Sequence, residues 1–164
     1  NYRASTWLRR TDKLRRAMPD IGLGADMIVG FPGETDQEFR ETLDLLASSQ
    51  VNYLHVFSWS ERPGTPASEL ADRVHPAVIR ERSAVLRQVA DEAGLRFRKR
   101  FLGRQLDSVV LGDGDRALTG NFIELTLDGA RPAPGGRVPA EITAKRSAIV
   151  AASSSATPSA PPKK

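Results

Sequence analysis

The sequence predicts an α/β fold that continues into a small all-β module. Apolar runs at residues 21–30 and 51–59 flank about a dozen residues with helical periodicity, which is the pattern of a βαβ unit with parallel strands. From Gln105 onward the chain changes to short alternating runs separated by glycine turns, and this pattern is typical of a small β-barrel.

The first of these strands ends in a glycine turn that leads into a helix. Residues 27–29 are continuously apolar, as in strands that helices cover on both faces. Gly30 and Gly33 follow, and glycine lets the backbone approach a ligand or a neighbour closely. Thr35 and Glu38 have the spacing of a capping box, so a helix should begin at residue 36 and end near residue 49.

The second strand also ends in a loop, at residues 58–67, that is rich in turn-forming residues. Parallel strands place this loop at the same edge of the sheet as residues 30–34, so the two loops can share one ligand. An ordinary strand-to-helix connection is the alternative interpretation of residues 30–34. His55 lies inside the strand, where we expect a packed histidine rather than a general base.

Two further helices are predicted, one before and one after the βαβ unit in the chain. Residues 6–18 have helical spacing, with Ser5 as the N-cap. Residues 76–98 form a long helix with Pro76 at its first position, and Gly94 marks a bend or a stop. In the β-module, alternation at residues 121–127 places Phe122 on the buried face, and residues 137–145 form the final strand.

Composition narrows the classes of site that this chain can hold. The 164 residues are 40% apolar and 27% charged, which fits a soluble globular protein, and no apolar run approaches the ~20 residues of a membrane span. The chain has no cysteine, which excludes disulfides and thiolate-held clusters within it. Its two histidines lie on different elements, so a metal site is not expected.

Positive charge is concentrated in two helical stretches. Residues 1–18 carry six basic side chains and one acidic side chain, and residues 75–104 carry eight basic and three acidic. Basic stripes on helices can contact phosphates, and a solvated helix face is the alternative. Residues 104–146 carry six basic and six acidic side chains, so this module alone should bind RNA weakly.

Four stretches resemble the radical S-adenosylmethionine (SAM) methylthiotransferase family, in the right order: residues 26–35, 53–67, 101–103 and 105–146. The first is similar to the family pattern D-x-I-V-G-F-P-G-E-T. The last resembles a TRAM domain, and Asn121-Phe122 stands where that domain usually has Asn-Tyr. Residues 54–65 are most similar to the branch that modifies N6-threonylcarbamoyladenosine in tRNA, although Ser58 and Trp59 replace the usual Pro and Tyr.

The resemblance implies the C-terminal part of a radical SAM partial (β/α) barrel at residues 1–103 and a TRAM domain at residues 104–146. Residues 147–164, rich in Ala, Ser and Pro, are predicted to be a disordered tail. The resemblance further implies SAM as cofactor, [4Fe–4S] clusters in the full-length enzyme, tRNA as partner and a cytoplasmic location. Because the family's cluster cysteines are absent and the first residue is not Met, we interpret the chain as a fragment that is inactive alone.

The same resemblance implies roles for two sets of residues. Those that would contact SAM are Asp26, Gly30, Phe31, Gly33, Glu34, Ser60 and Arg62. Those that would contact the tRNA substrate are Gly64, Thr65, Arg98, Lys99, Arg100 and Asn121. Asp26 could instead be a strand-end carboxylate paired with Arg or Lys, and Arg62 could instead fix its own loop.

Two other functions stay open at this point. One is a sister methylthiotransferase that acts on isopentenyladenosine in tRNA or on a ribosomal protein. The other is a non-catalytic RNA-binding protein that keeps the barrel remnant as a scaffold.

Overall fold

The structure, a computed structural model, describes residues 3–112, 114–129, 132–144 and 147–150. The chain forms two compact units. One comprises the described residues up to Arg100 together with Asn121–Ile123, and the other comprises Phe101–Gly120 and the described residues from Glu124 onward. The predicted order of an α/β fold followed by an all-β fold is confirmed.

The first unit is built on a pair of parallel strands. Its elements are α1 (Ala4–Ala17), β1 (Gly24–Val29), α2 (Asp36–Ala47), β2 (Tyr53–Ser58), a short 3-10 helix (Pro66–Glu69) and α3 (Pro76–Lys99). The register runs from Gly24 opposite Tyr53 to Val29 opposite Ser58. The predicted βαβ unit is therefore confirmed, with α2 as its crossover.

One face of this sheet is covered by helices and the other is open. Val29, Phe39, Leu46 and Leu86 form the buried core between the strands, α2 and α3. On the opposite face, Ile28 is 59% exposed and Phe57 is 52% exposed. The expectation that helices cover both faces is wrong for the described residues, because an apolar run does not reveal on which side of a strand its partners lie.

The helix ends follow the local sequence signals only in part. Thr35 Oγ1 accepts from the Glu38 N–H at 3.2 Å, and Glu38 Oε2 accepts from the Thr35 N–H at 2.8 Å, so the capping box is confirmed. Helix α1 instead begins after Arg3, which makes no side-chain cap, so the predicted Ser5 cap is wrong. Helix α3 has Pro76 in its first turn and continues through Gly94 without a break.

The second unit is a closed five-stranded barrel. Its strands are β3 (Gln105–Leu111), β4 (Arg116–Thr119), β5 (Glu124–Asp128), β6 (Arg137–Ile142) and β7 (Ser147–Val150). They follow the order β3-β4-β5-β7-β6, with β6 pairing back onto β3. Neighbours are antiparallel except β5 and β7, which are parallel. The predicted small β-barrel is confirmed.

Two sequence expectations about the second half of the chain are wrong. Residues 147–150 form β7 instead of a disordered tail, because their backbone pairs with β5 and β6, a long-range contact that composition does not show. Residues 151–164 of the predicted tail lie outside the described residues. Phe122 is 57% exposed and has a φ of 65°, so the regular alternation begins only at Glu124, after this left-handed residue.

Candidate functional site

The loops after β1 and β2 meet at the carboxyl edge of the sheet. The Trp59 N–H donates to the Val29 carbonyl at 2.8 Å, and the Phe31 and Trp59 rings pack edge to face with centroids 6.4 Å apart. The Gly33 N–H donates to the Asp72 carbonyl at 2.6 Å. Residues 30–34 and 59–73 therefore form one surface, as the parallel strand order predicts.

Glycine is required at the two ends of the first loop for different reasons. Gly30 has a φ of 79°, and a Cβ there would lie 2.5 Å from Ile79 Cγ1, so both the backbone and the packing demand glycine. Gly33 has a φ of 85°, but nothing lies within 4 Å of the position of a Cβ. The backbone at Gly33 is thus open to close approach from outside.

The Glu34 carboxylate binds groups of the protein itself. Its Oε2 accepts from the Gly30 N–H at 2.8 Å and from Arg82 Nη1 at 2.7 Å. Arg82 Nη1 also donates to the Glu34 carbonyl at 3.0 Å, and Arg82 Nη2 donates to Asp36 Oδ1 at 2.6 Å. The carboxylate that the resemblance assigns to SAM is therefore used to bend the loop onto α3.

Arg82 is a site residue that the sequence prediction missed. The sequence places it in the basic stripe of the long helix, but it is only 5% exposed and its guanidinium lies 5.3 Å from the centre of the Phe39 ring. Burial lowers the pKa of Arg82, while the hydrogen bonds that Arg82 donates to Asp36 and Glu34 and the negative charges of these carboxylates raise it, and the net pKa is raised. The missed signal is its spacing, because it lies between Ile79 and Leu86 on the apolar stripe of the helix.

The open face of the sheet carries a row of side chains that leads to this edge. Asp26 is opposite His55, and Ile28 is opposite Phe57. Asp26 is exposed, so it needs no buried cation as a partner. His55 is also exposed and so lies outside the core, although its ring packs edge to face on Tyr53 with centroids 5.7 Å apart.

The second loop presents most of its predicted site residues to solvent. Ser60, Arg62 and Gly64 are exposed and Thr65 is half-buried. The Thr65 Oγ1 hydroxyl donates to the Arg62 carbonyl at 2.8 Å, which fixes the loop through its backbone and leaves the Arg62 side chain at the surface.

Arg73 also belongs to this surface and was not predicted. Its guanidinium lies 4.7 Å from the centre of the Trp59 ring, and it pairs with Glu61 at 3.4 Å. These contacts connect Arg73 to Trp59 and Glu61 at the start of the second loop.

Of the residues predicted to contact tRNA, Gly64 and Thr65 lie in the second loop, whereas those on helix α3 lie away from both loops. Arg98 is only 7% exposed, which is unsuited to a phosphate contact, whereas Lys99 and Arg100 are exposed. All three are at the C-terminal end of α3, and the loops contact its N-terminal end. A helix of 24 residues spans about 36 Å, so the structure does not bring the two sets together. Asn121 Nδ2 donates to the Asp20 carbonyl at 3.1 Å.

The described residues contain neither a cluster of metal ligands nor a helix that could span a membrane. Among them, no three His, Cys, Asp or Glu side chains come together as ligands. An iron–sulfur cluster does not fit this chain, because the sequence offers no thiolate. None of the helices in the described part of the chain has the length and apolar character needed to cross a bilayer.

Comparison with known proteins decides the family. A protein from Thermotoga maritima named threonylcarbamoyladenosine tRNA methylthiotransferase MtaB is 42% identical over 104 residues, covering 63% of this chain and 24% of that protein. A tRNA-2-methylthio-N(6)-dimethylallyladenosine synthase from Thermobifida fusca is 33% identical over 155 residues, which is 87% of this chain and 31% of that protein. The chain belongs to the tRNA methylthiotransferase family.

Another tRNA-2-methylthio-N(6)-dimethylallyladenosine synthase, from Mycolicibacterium vanbaalenii, is 41% identical over 115 residues, covering 70% of this chain and 22% of that protein. The chain therefore spans between 22% and 31% of the length of these three relatives. No protein-family profile matches it.

Proposed function

We propose that this chain is the C-terminal portion of an enzyme that inserts sulfur into N6-threonylcarbamoyladenosine of tRNA, beside the anticodon, and methylates that sulfur. Membership of the methylthiotransferase family supports the reaction class. The observation that carries the proposal is the surface formed by residues 30–34 and 59–73 at the carboxyl edge of two parallel strands, the usual position of a ligand in α/β folds.

SAM would bind against the outer side of the first loop. The open backbone at Gly33 admits a ligand, and Phe31 offers an exposed ring to its adenine. Asp26, Ser60 and Arg62 are exposed and would supply polar contacts, while Glu34 would act by shaping Gly30. When bound, SAM supplies the methyl group and the source of the radical.

Cluster chemistry would come from a part of the protein other than this chain, which has no cysteine. We expect anaerobic reconstitution of this chain with iron and sulfide to leave it without stoichiometric iron and without SAM cleavage, since cluster iron needs thiolate ligands. Iron analysis and an assay for 5′-deoxyadenosine check this. Stoichiometric iron with SAM-dependent product would contradict the assignment as a cluster-free portion.

The barrel would be a TRAM domain that binds RNA. Independently of it, the exposed cations at the end of α3 would contact tRNA phosphates. Replacing Lys99 and Arg100 with Ala should weaken tRNA binding for all sequences, because phosphate contacts carry no sequence information. It should also flatten the plot of log binding constant against log salt concentration, because each phosphate contact contributes about −0.7 to −0.9 to that slope. Filter binding over a range of salt concentrations measures this. Arg87→Ala, exposed on the same helix, is the control, and an equal effect of that control would count against a specific contact.

The deciding experiment for the substrate is nucleoside analysis of tRNA by mass spectrometry, in cells with and without the gene that encodes this chain. Loss of the methylthio group from threonylcarbamoyladenosine alone supports the proposal. Loss from dimethylallyladenosine alone supports the second candidate, which the names of the Thermobifida and Mycolicibacterium relatives favour. Retention of both modified nucleosides would contradict a methylthiotransferase function on tRNA. Action on tRNA is also the basis for proposing a cytoplasmic location.

A further inference from the structure

Arg82 connects helix α3 to the loop at the proposed cofactor surface. It lies 48 residues from Glu34 in the chain, yet it makes three hydrogen bonds to residues 34 and 36, of 2.6–3.0 Å. Two of these bonds go to carboxylates, and a charge-assisted bond is roughly twice as strong as a neutral one. One residue of α3 therefore holds both the end of the loop and the start of α2.

Glu34 Oε2 is shared between Arg82 and the Gly30 N–H, at 2.7 Å and 2.8 Å. A carboxylate that is mostly buried needs a cation nearby, because burial of an unpaired charge is costly. Without Arg82 the Glu34 side chain would turn toward water, and the Gly30 N–H would lose its acceptor. The position of the Gly30 peptide thus depends on a side chain that acts on it through the Glu34 carboxylate.

Helix α3 contacts the same glycine a second time. Ile79, one turn before Arg82, occupies the space where a Cβ at Gly30 would lie. Arg82 and Ile79 together hold the loop from its inner side, which leaves its outer side for a ligand.

We propose that Arg82 is a positioning residue for the cofactor loop: by holding the Glu34 carboxylate on the Gly30 N–H, it sets the shape of residues 30–33. The inference rests on the proposed function for the identity of the cofactor. The control of loop shape by Arg82 can be measured without any ligand.

The test is amide hydrogen exchange of the full chain by NMR, comparing the native protein with R82M, R82K and E34Q. In R82M, amide exchange at Gly30 should accelerate about tenfold or more, because that is the loss of protection expected when a charge-assisted hydrogen bond is removed. The β1 amides that pair with β2 should keep their exchange rates. R82K should restore part of the protection, because Lys supplies the charge without the planar fork. E34Q should give an intermediate rate, and it still tests the inference if R82M fails to fold.

R87M is the matched control, since Arg87 is exposed on the same helix. It should leave all rates unchanged. Equal acceleration at Gly30 and throughout β1 in R82M would mean that Arg82 only contributes to global stability, and the inference would be overturned. Unchanged protection of Gly30 would overturn it as well.

A titration with SAM itself separates the inference from the proposed function. In the native chain, residues 30–33 should shift, and R82M should weaken that response about tenfold while R87M matches the native chain. Equal affinity of R82M and the native chain for SAM would overturn the positioning role. If the native chain shows no response to SAM but Gly30 exchange behaves as expected, the cofactor assignment fails and the control of the loop by Arg82 is supported.

Discussion

At the residue scale, the candidate site depends on a few side chains and backbone positions whose surroundings differ sharply. Gly30 and Gly33 have almost the same φ, 79° and 85°. Only Gly30 is packed against a neighbour, Ile79, while Gly33 faces open space. Although the two glycines look equivalent in the sequence, substitution of Gly30 should therefore cost more folding free energy than substitution of Gly33.

Replacement of Gly30 with Ala should destabilise the protein by about 2–5 kcal/mol, because a left-handed backbone costs about 1–2 kcal/mol and overpacking a further 1–3 kcal/mol. The matched change Gly33→Ala should cost only the backbone part, about 1–2 kcal/mol. Urea unfolding followed by circular dichroism measures both. Equal losses for the two variants would show that Ile79 moves aside at no cost.

At the scale of elements, helix α2 begins with a reciprocal capping box whose strength depends on pH. The backbone hydrogen bond from Thr35, followed by its side-chain hydrogen bond, lowers the pKa of Glu38 from its ordinary value of 4.5. A carboxylate with a lowered folded-state pKa contributes stability above its unfolded pKa, and loses it as pH falls through the folded one. The start of α2 should therefore weaken below about pH 4.5.

Comparison of the native chain with Glu38→Gln tests this pH dependence. The native chain should lose more stability than the variant between pH 5 and pH 2, about the range in which Asp and Glu titrate. Thermal melts at several pH values measure the difference, and parallel curves would contradict it. Thr35→Ala should remove the cap at all pH values, at a cost of about 1 kcal/mol.

Helix α3 contains a glycine where the helix does not require one. Gly94 is within the continuous helix, and a Cβ there would lie 3.5 Å from the Asn52 carbonyl oxygen, an ordinary contact. Gly94→Ala should therefore stabilise the protein by about 0.5–1 kcal/mol through helix propensity. Chemical denaturation measures the gain. A loss of stability would show that the contact with Asn52 is tighter than its distance implies.

At the scale of the whole molecule, the two units present different surfaces. The barrel closes on itself, so within the described residues its strands form a continuous ring. The two-stranded sheet of the first unit leaves an open face on which Ile28 and Phe57 form an exposed apolar pair, and exposed apolar patches favour association.

We expect the chain to self-associate at high concentration through this open face. Ile28→Thr combined with Phe57→Thr should shift it toward the monomer, since Thr keeps strand propensity but removes apolar area. Sedimentation velocity over a concentration series measures the effect. Val109→Thr, at an exposed position of the barrel, is the control, and an equal shift in that variant would place the association elsewhere.

The sequence by itself determined the order of elements, the capping box of α2, the parallel βαβ unit and the family, because each depends on local spacing or on a contiguous motif. Only the tertiary structure decided which face of the sheet is open, and that Arg82 points inward to Glu34. It also decided that Phe122 is exposed and that residues 147–150 close the barrel. These features depend on contacts between residues distant in the chain. The spacing of Arg82 places it on the apolar stripe of α3, but no local pattern identifies the carboxylate 48 positions away that accepts its hydrogen bond.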